Sequence, residues 1–229
     1  KGIKFLWITF FFFFLGFNLV LFMINSGWLG YMPKMQELEN PKSSASSEMY
    51  AKDGSMIGKL YLENREPVPF SEISKNMIDA LVATEDERFY KHSGIDAEAI
   101  GRALVGVLTF SPKGGASTLT QQLAKQLLEQ GSRNFFTRIT EKLKEQLVAV
   151  KLEKNLTKQE IITLYLNTVP WGYNSFGIKS PAKTYFNKLP KDLHTEEAAL
   201  LVGMLKGSSM YNPVKERSKE RARERRNVV

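Results

Sequence analysis

The chain has 229 residues, enough for one good-sized domain with accessory segments. It contains no cysteine, which excludes a disulfide scaffold and any thiolate-ligated metal centre. Lys and Arg total 32 against 24 Asp and Glu, a formal charge of +8, so the expected partners are acidic: nucleic acid, anionic lipid or a phosphorylated substrate.

Residues 5–24 carry no charge, and only Thr9 and Asn18 are clearly polar. Twenty helical residues span roughly 30 Å, the thickness of a bilayer's hydrocarbon core, so this stretch is expected to be a transmembrane anchor rather than a cleaved signal. Lys1 and Lys4 precede it, which places the N-terminus in the cytoplasm and the rest across the membrane. An anchored domain has little access to nucleic acid, which leaves lipid headgroups or a lipid pyrophosphate as the acidic partner. Residues 40–47 read as a flexible connector. Beyond it, apolar runs at 49–52 and 56–62 flank Asp53-Gly54, a hairpin signal. From Ser71 the texture is helical. Thr118 with Gln121, and Thr157 with Glu160, have capping-box spacing, and Thr195 followed by Glu196-Glu197 marks another helix start. The tail alternates basic residues with Glu216, Glu220 and Glu224, the pattern of a solvated helix. The expected division is an anchor at 1–26, a connector and hairpin at 27–70, a mainly α domain at 71–214 and a basic helical linker at 215–229.

Three constellations could carry chemistry. On a helix through 73–89, Glu85 shares a face with Ile78, Leu81, Val82 and Phe89, where burial would favour a carboxylate as a proton acceptor. A paired structural carboxylate is the plainer reading. On a second helix, 138–152, Ile139, Leu143, Leu147 and Val150 form the expected core stripe. Arg138, Lys142 and Glu145 fall on another face with the small Ala149. That face is either a solvated ion pair or a cleft wall. In the third, Gly114-Gly115-Ala116-Ser117 runs into a helix whose polar side carries Thr118, Gln121 and Lys125, groups suited to an oxyanion or sugar hydroxyls. His92 and His194 lie far apart in sequence and the chain has no cysteine, so a zinc site is not expected. The residue-level reading makes His92 a hydrogen-bonding residue that fixes the Glu85 loop.

The order of these features resembles the family 51 glycosyltransferases, the peptidoglycan polymerases. Glu85-Asp86-x-x-Phe89-x-x-His92-x-Gly94 is similar to the first family motif. Gly115-Ala116-Ser117-Thr118-Leu119-Thr120-Gln121-Gln122-Leu123-x-Lys125 is similar to the second, and Lys142-x-x-Glu145 to the third. Tyr165-Leu166-Asn167 with Gly172 and Gly177 resembles the fourth, and Ala198-Ala199-Leu200-Leu201-x-Gly203 through Asn212-Pro213 the fifth. Together they cover about residues 77–213.

The resemblance implies a lysozyme-like helical fold with a large lobe and a membrane-proximal jaw. It implies that lipid II is polymerised into β-1,4-linked glycan with inversion and release of undecaprenyl pyrophosphate. Glu85 and Glu145 are the implied catalytic pair, Glu85 as base. Asp86, His92, Ser117, Thr118, Gln121, Gln122, Lys125, Arg138, Lys142 and Asn167 are the implied substrate-binding set. Arg133 is the alternative to Arg138 as the arginine facing the pyrophosphate. A divalent cation (Mg or Mn) is implied through the pyrophosphate at Glu145, with no organic cofactor. The implied partners are lipid II, undecaprenyl-pyrophosphate-linked glycan, membrane lipids and cell-wall synthesis proteins, and the implied location is the inner membrane, single-pass, with the catalytic domain outside. The hairpin and the ending Arg225-Arg226-Asn227-Val228-Val229 look like the N-terminal part of a class A penicillin-binding protein, for which a transpeptidase domain would follow. The rival readings are a lysozyme-type glycan-cleaving enzyme, which needs an acid for the leaving oxygen, and a non-catalytic lipid II-binding scaffold.

Overall fold

The computed structural model describes residues 2–39, 47–53, 55–60, 64–65, 67–110, 115–128, 134–172 and 175–229. The expected connector up to residue 46, the turn residue Gly54, the loop residue Gly114 and Arg133 lie outside the described residues.

The chain opens with α1 (Gly2–Asn25), which is apolar along its length and buries only Ile24. At 24 residues it is long and apolar enough to cross a membrane. The two polar side chains within its apolar stretch are absorbed by the helix itself. Thr9 Oγ1 donates to the Phe5 carbonyl at 3.0 Å and Asn18 Nδ2 to the Phe14 carbonyl at 2.8 Å, which removes the cost of bare donors in hydrocarbon. The segment after α1 leads into α2 (Met35–Glu39). Next come β1 (Ser47–Tyr50) and β2 (Met56–Leu60), an antiparallel pair with an irregularity at Met49/Tyr50. Asp53 closes their turn by accepting from the Ser55 backbone N–H at 2.9 Å and its hydroxyl at 2.6 Å. The short β3 (Asn64–Arg65) runs parallel to β4 (Ser175–Phe176).

The rest is helical: α3 (Lys75–Glu85), α4 (Ala97–Leu108), α5 (Leu119–Leu127), α6 (Phe135–Asn155), α7 (Lys158–Thr168), α8 (Lys179–Phe186), α9 (Thr195–Leu205) and α10 (Glu216–Val228). The fold is mainly α, as the sequence indicates. Both expected capping boxes form, Thr118 with Gln121 and Thr157 with Glu160. The core gathers α3 against α9, and α5 against α6 and α7. Met77, Leu81, Leu119, Leu123, Ile162 and Leu201 are all fully buried there. Apolar side chains of this size contribute about 1.5–3 kcal/mol each on burial, so this cluster dominates the stability of the domain.

Three local expectations change. The helix expected over 73–89 stops at Glu85, because Asp86 swings to φ −158° and leaves the helix. The expected core stripe of α6 is not its buried side: Ile139 is 46 % exposed, whereas Glu145, Val148, Ala149 and Leu152 are buried. Gly94 (φ +90°) packs closely on this buried face, against the Ala149 carbonyl. Finally, α10 is not merely solvated: Ser218 and Ala222 are buried, α10 packs on α9, and Ser218 Oγ donates to the Asn212 carbonyl at 2.9 Å.

A Cβ at residue 94 would stand 2.9 Å from the Ala149 oxygen, in a backbone region that L-residues avoid. Gly94→Ala is therefore expected to destabilise the domain by about 2 kcal/mol, read as a lowered midpoint in chemical denaturation. An unchanged midpoint would contradict the packing described.

Candidate active site

Helix α3 ends where α5 begins. Asp86 Oδ2 accepts the Leu119 backbone N–H at 2.8 Å, so the carboxylate satisfies a donor that the first turn of α5 leaves open. His92 Nε2 lies 3.0 and 3.1 Å from the two Asp86 oxygens, and its Nδ1 accepts the Gly94 N–H at 3.2 Å. These partners fix the tautomer: Nε2 carries the proton and donates to Asp86. Thr118 Oγ1 then donates to the Gly94 carbonyl at 2.7 Å. Asp86, His92, Gly94 and Thr118 thus close a polar ring around the α3–α5 junction, with the Asp86 and His92 side chains 6 % and 5 % exposed.

Glu85 stands one residue before this ring and is half-buried. Gln122, one turn into α5, donates from Nε2 to Glu85 Oε2 at 2.9 Å. Tyr165 on α7 donates from its hydroxyl to Gln122 Oε1 at 3.0 Å. Burial above all, and then the charge of Glu85, push the Tyr165 hydroxyl well above the usual phenol range. It therefore remains a donor, the Gln122 amide can face only one way, and its N–H is delivered to Glu85.

Two cavities adjoin at this point. The first, about 1030 Å³, lies between α5 and α6 and includes Gln121, Lys125, Arg138, Lys142 and Glu145 in its wall. Lys142 Nζ bridges Glu145 Oε2 at 2.6 Å and Ser117 Oγ at 3.0 Å. Glu145 is 7 % exposed; burying a carboxylate is costly unless paired, and Lys142 supplies the pairing while its own side chain stays 45 % exposed. Lys125 and Arg138 are exposed, and among the described residues their side chains have no ion pair. The second cavity, about 580 Å³, includes Glu85, Asp86, Thr118, Arg102, Lys206 and Arg225. Ser117 and Gln122 line both.

The sequence-derived set divides accordingly. Ser117, Gln121, Gln122, Lys125, Arg138, Lys142 and Glu145 meet in the first cavity, and Glu85, Asp86, Ser117, Thr118 and Gln122 in the second. Within that set, the Thr118 hydroxyl is spent on Gly94 and on the cap, and Gln121 Oε1 on the Thr118 N–H. His92 lies behind the site and lines neither cavity. Asn167 is elsewhere: its amide clasps the backbone of Val68, accepting from N at 3.0 Å and donating to O at 2.8 Å. Ser180 and Lys183 have the Ser-x-x-Lys spacing of transpeptidase nucleophiles, but they sit on α8 and line neither cavity. Sequence reasoning gave no role to Tyr165, Arg102, Lys206 or Arg225. Tyr165 stood inside a quoted motif, and its hydroxyl on an otherwise apolar helix face was the available signal. The three cations come from separate helices, and nothing in their spacing joins them.

The donor set does not fit a metal held by this chain alone. Among the described residues no three His, Asp or Glu side chains cluster, and the Glu145 carboxylate is held by the Lys142 ammonium.

The family model described as Transglycosylase matches residues 53–229. Penicillin-binding protein 1A of Haemophilus influenzae is 40 % identical over 215 residues, 92 % of this chain and 23 % of that protein. Penicillin-binding protein 1F of Bacillus subtilis is 39 % identical over 186 residues, 81 % and 25 % respectively. The crystal structure of penicillin-binding protein 1A from Haemophilus influenzae aligns over 82 % of this chain and 18 % of that one, at 27 % identity and a TM-score of 0.42. The chain spans about a quarter of the length of the relatives it matches.

The Tyr165–Gln122 bond is part-buried with the Tyr165 side of it enclosed, so Tyr165→Phe, which strands Gln122 Oε1, is expected to cost about 1–2 kcal/mol of stability. Combined with Gln122→Leu, the loss should be less than the sum of the two single losses. Strict additivity in denaturant unfolding would contradict the link from Tyr165 through Gln122.

Proposed function

The chain belongs to the transglycosylase family, and from that membership we propose that it is a peptidoglycan glycosyltransferase that polymerises lipid II. The observation that carries the proposal is Glu85 in the wall of the second cavity, hydrogen-bonded to Gln122, which lines both cavities, with cations in the wall of each. A polymerase that joins two copies of one pyrophosphate-linked sugar needs that arrangement: an anion site on either side of a proton acceptor.

The growing glycan on undecaprenyl pyrophosphate is the donor and occupies the first cavity; lipid II, the acceptor, enters the second. Glu85 accepts the proton of the acceptor's 4-hydroxyl. The freed oxygen attacks the donor's anomeric carbon from the face opposite the pyrophosphate, the bond from that carbon to the pyrophosphate oxygen breaks, and a β-1,4 link forms with inversion. Undecaprenyl pyrophosphate departs with the electron pair. Lys125, Arg138 and Lys142 offset its charge as it develops, where fixed donors contribute most to rate. Gln122 holds the Glu85 carboxylate in place. Glu145 acts through Lys142, holding the ammonium on the cavity wall. No step is assigned to a divalent cation, since these three cations already provide the charge.

A lysozyme-type cleavage is less well supported. It requires a carboxylic acid to protonate a neutral leaving sugar, whereas the larger cavity here presents lysines and an arginine suited to an anion. A lipid-linked substrate also gives α1 its purpose: the domain works on the outer face of the cytoplasmic membrane, single-pass, where membrane lipids and cell-wall synthesis proteins are its neighbours.

Polymerisation of purified lipid II in detergent tests the proposal. Glu85→Gln should lower the rate by about a hundredfold or more, the usual loss with a general base. Lys125→Ala should lower kcat by about tenfold to a hundredfold with an unchanged melting temperature, because Lys125 is exposed. Equal polymer yield from the parent and Glu85→Gln would remove Glu85 as the base.

A further inference from the structure

The C-terminal helix contributes to the second cavity. Gly203 faces it from α9, and a Cβ there would stand 3.1 Å from Arg225 Cγ. The absent side chain leaves a notch that the stem of Arg225 fills, and Arg225 lines the same cavity as Glu85. Arg225 Nε is fully enclosed and has no hydrogen-bond partner. In the same wall Thr84 Oγ1 is also enclosed and unpartnered, although a helical threonine usually returns its hydroxyl to a carbonyl of the preceding turn. Buried donors left open in this way are rare in folded proteins and ask for an explanation.

The charges of the cavity point the same way. Arg88 is committed to Asp96 at 3.0 Å and to Glu98. Asp86 is committed to His92 and Leu119. Asp96 is held below the usual carboxylate range: desolvation pushes it up, but the Ala99 and Glu98 N–H groups and the Arg88 charge outweigh it. That leaves Arg102 from α4, Lys206 from the end of α9 and Arg225 from α10. Among the described residues none of their side chains has an ion pair, and they share the cavity wall with Glu85 and the exposed Glu87. Three uncommitted cations from three helices in one cavity form a built anion site, and the arginine is the one with a forked, directional donor set.

We propose that Arg225 is a substrate-binding residue for the acceptor, its guanidinium holding the pyrophosphate of the incoming lipid-linked disaccharide together with Arg102 and Lys206. This rests on the glycosyltransferase reading above and adds to it that α10 belongs to the site. The anchored pyrophosphate fixes one end of the acceptor, so that its 4-hydroxyl comes to Glu85.

The test uses the full chain, with a saturating preformed lipid-linked oligosaccharide as donor and lipid II varied as acceptor. Arg225→Ala should raise the acceptor KM by about tenfold to a hundredfold, leaving the donor KM and the melting temperature near those of the parent. Arg225→Lys, which keeps the charge and loses the fork, should fall between. Gly203→Val, which fills the notch, should shift the acceptor KM in the same direction. An unchanged acceptor KM in Arg225→Ala, or an equal rise for donor and acceptor, would overturn the proposal. So would a penalty that vanishes with lipid II lacking its stem peptide, since the guanidinium would then be reading peptide carboxylates. If the parent itself makes no polymer, the glycosyltransferase reading fails, and that outcome appears without any variant.

Discussion

The Asp86 carboxylate at the start of α5 is the interaction on which the site depends. It joins the end of one helix to the beginning of another, at 2.8 Å. Because Glu85 precedes it and Gln122 lies one turn beyond its partner, that bond decides whether the two can meet. The ring through His92, Gly94 and Thr118 keeps the carboxylate oriented and nearly dry. A charge in that setting is affordable only because each oxygen has a partner. A neighbouring network supports the ring from outside: Lys158 donates to the His92 carbonyl at 2.7 Å and to Glu153 at 2.8 Å, and its ammonium lies 4.2 Å from the Phe89 ring centre.

Two groups stand out within the surplus of positive charge. Some cations are structural. Lys144 and Lys151 donate to the Tyr31 and Pro33 carbonyls, which ties the segment after α1 to α6, and Lys188 pairs with Glu197. A second group, Lys125, Arg138, Arg102, Lys206 and Arg225, lines the cavities and has no ion pair among the described residues. A folded protein gains little from leaving arginine and lysine uncommitted in a concave wall, whereas an acidic ligand gains a great deal. Lys142 stands between the two groups, held by a buried carboxylate yet half open to the cavity.

Much of this was legible in the sequence, for identifiable reasons. The membrane-length helix, the two capping boxes and the Asp53 turn are local features, fixed by residues within a few positions of each other. The conjunction of Ser117, Gln122, Lys125 and Lys142 came from a family resemblance, not from periodicity. What escaped was decided by tertiary contact. Helical spacing continued α3 past Glu85, because nothing local shows that Asp86 leaves to cap a helix 33 residues away. Apolar spacing chose Ile139, Leu143, Leu147 and Val150 as the core of α6, but tertiary packing, including the backbone of Gly94 against the Ala149 carbonyl, buries the face of Glu145, Val148, Ala149 and Leu152. Asn167, read as substrate-facing from its motif, spends both ends of its amide on Val68. Arg225, read as part of a solvated tail, lines the second cavity, its stem filling a gap that a glycine leaves in another helix.

The most direct test of the account is an experimental structure of Glu85→Gln, expected to be slow enough to trap substrate, with lipid II bound. The account predicts two lipid II molecules: one in the second cavity with a sugar hydroxyl within hydrogen-bond reach, about 3 Å, of residue 85, and one in the first with its pyrophosphate against Lys125, Arg138 and Lys142. A pyrophosphate seated at residue 85, or a lipid-linked sugar bound with its hydroxyls far from that side chain, would contradict it.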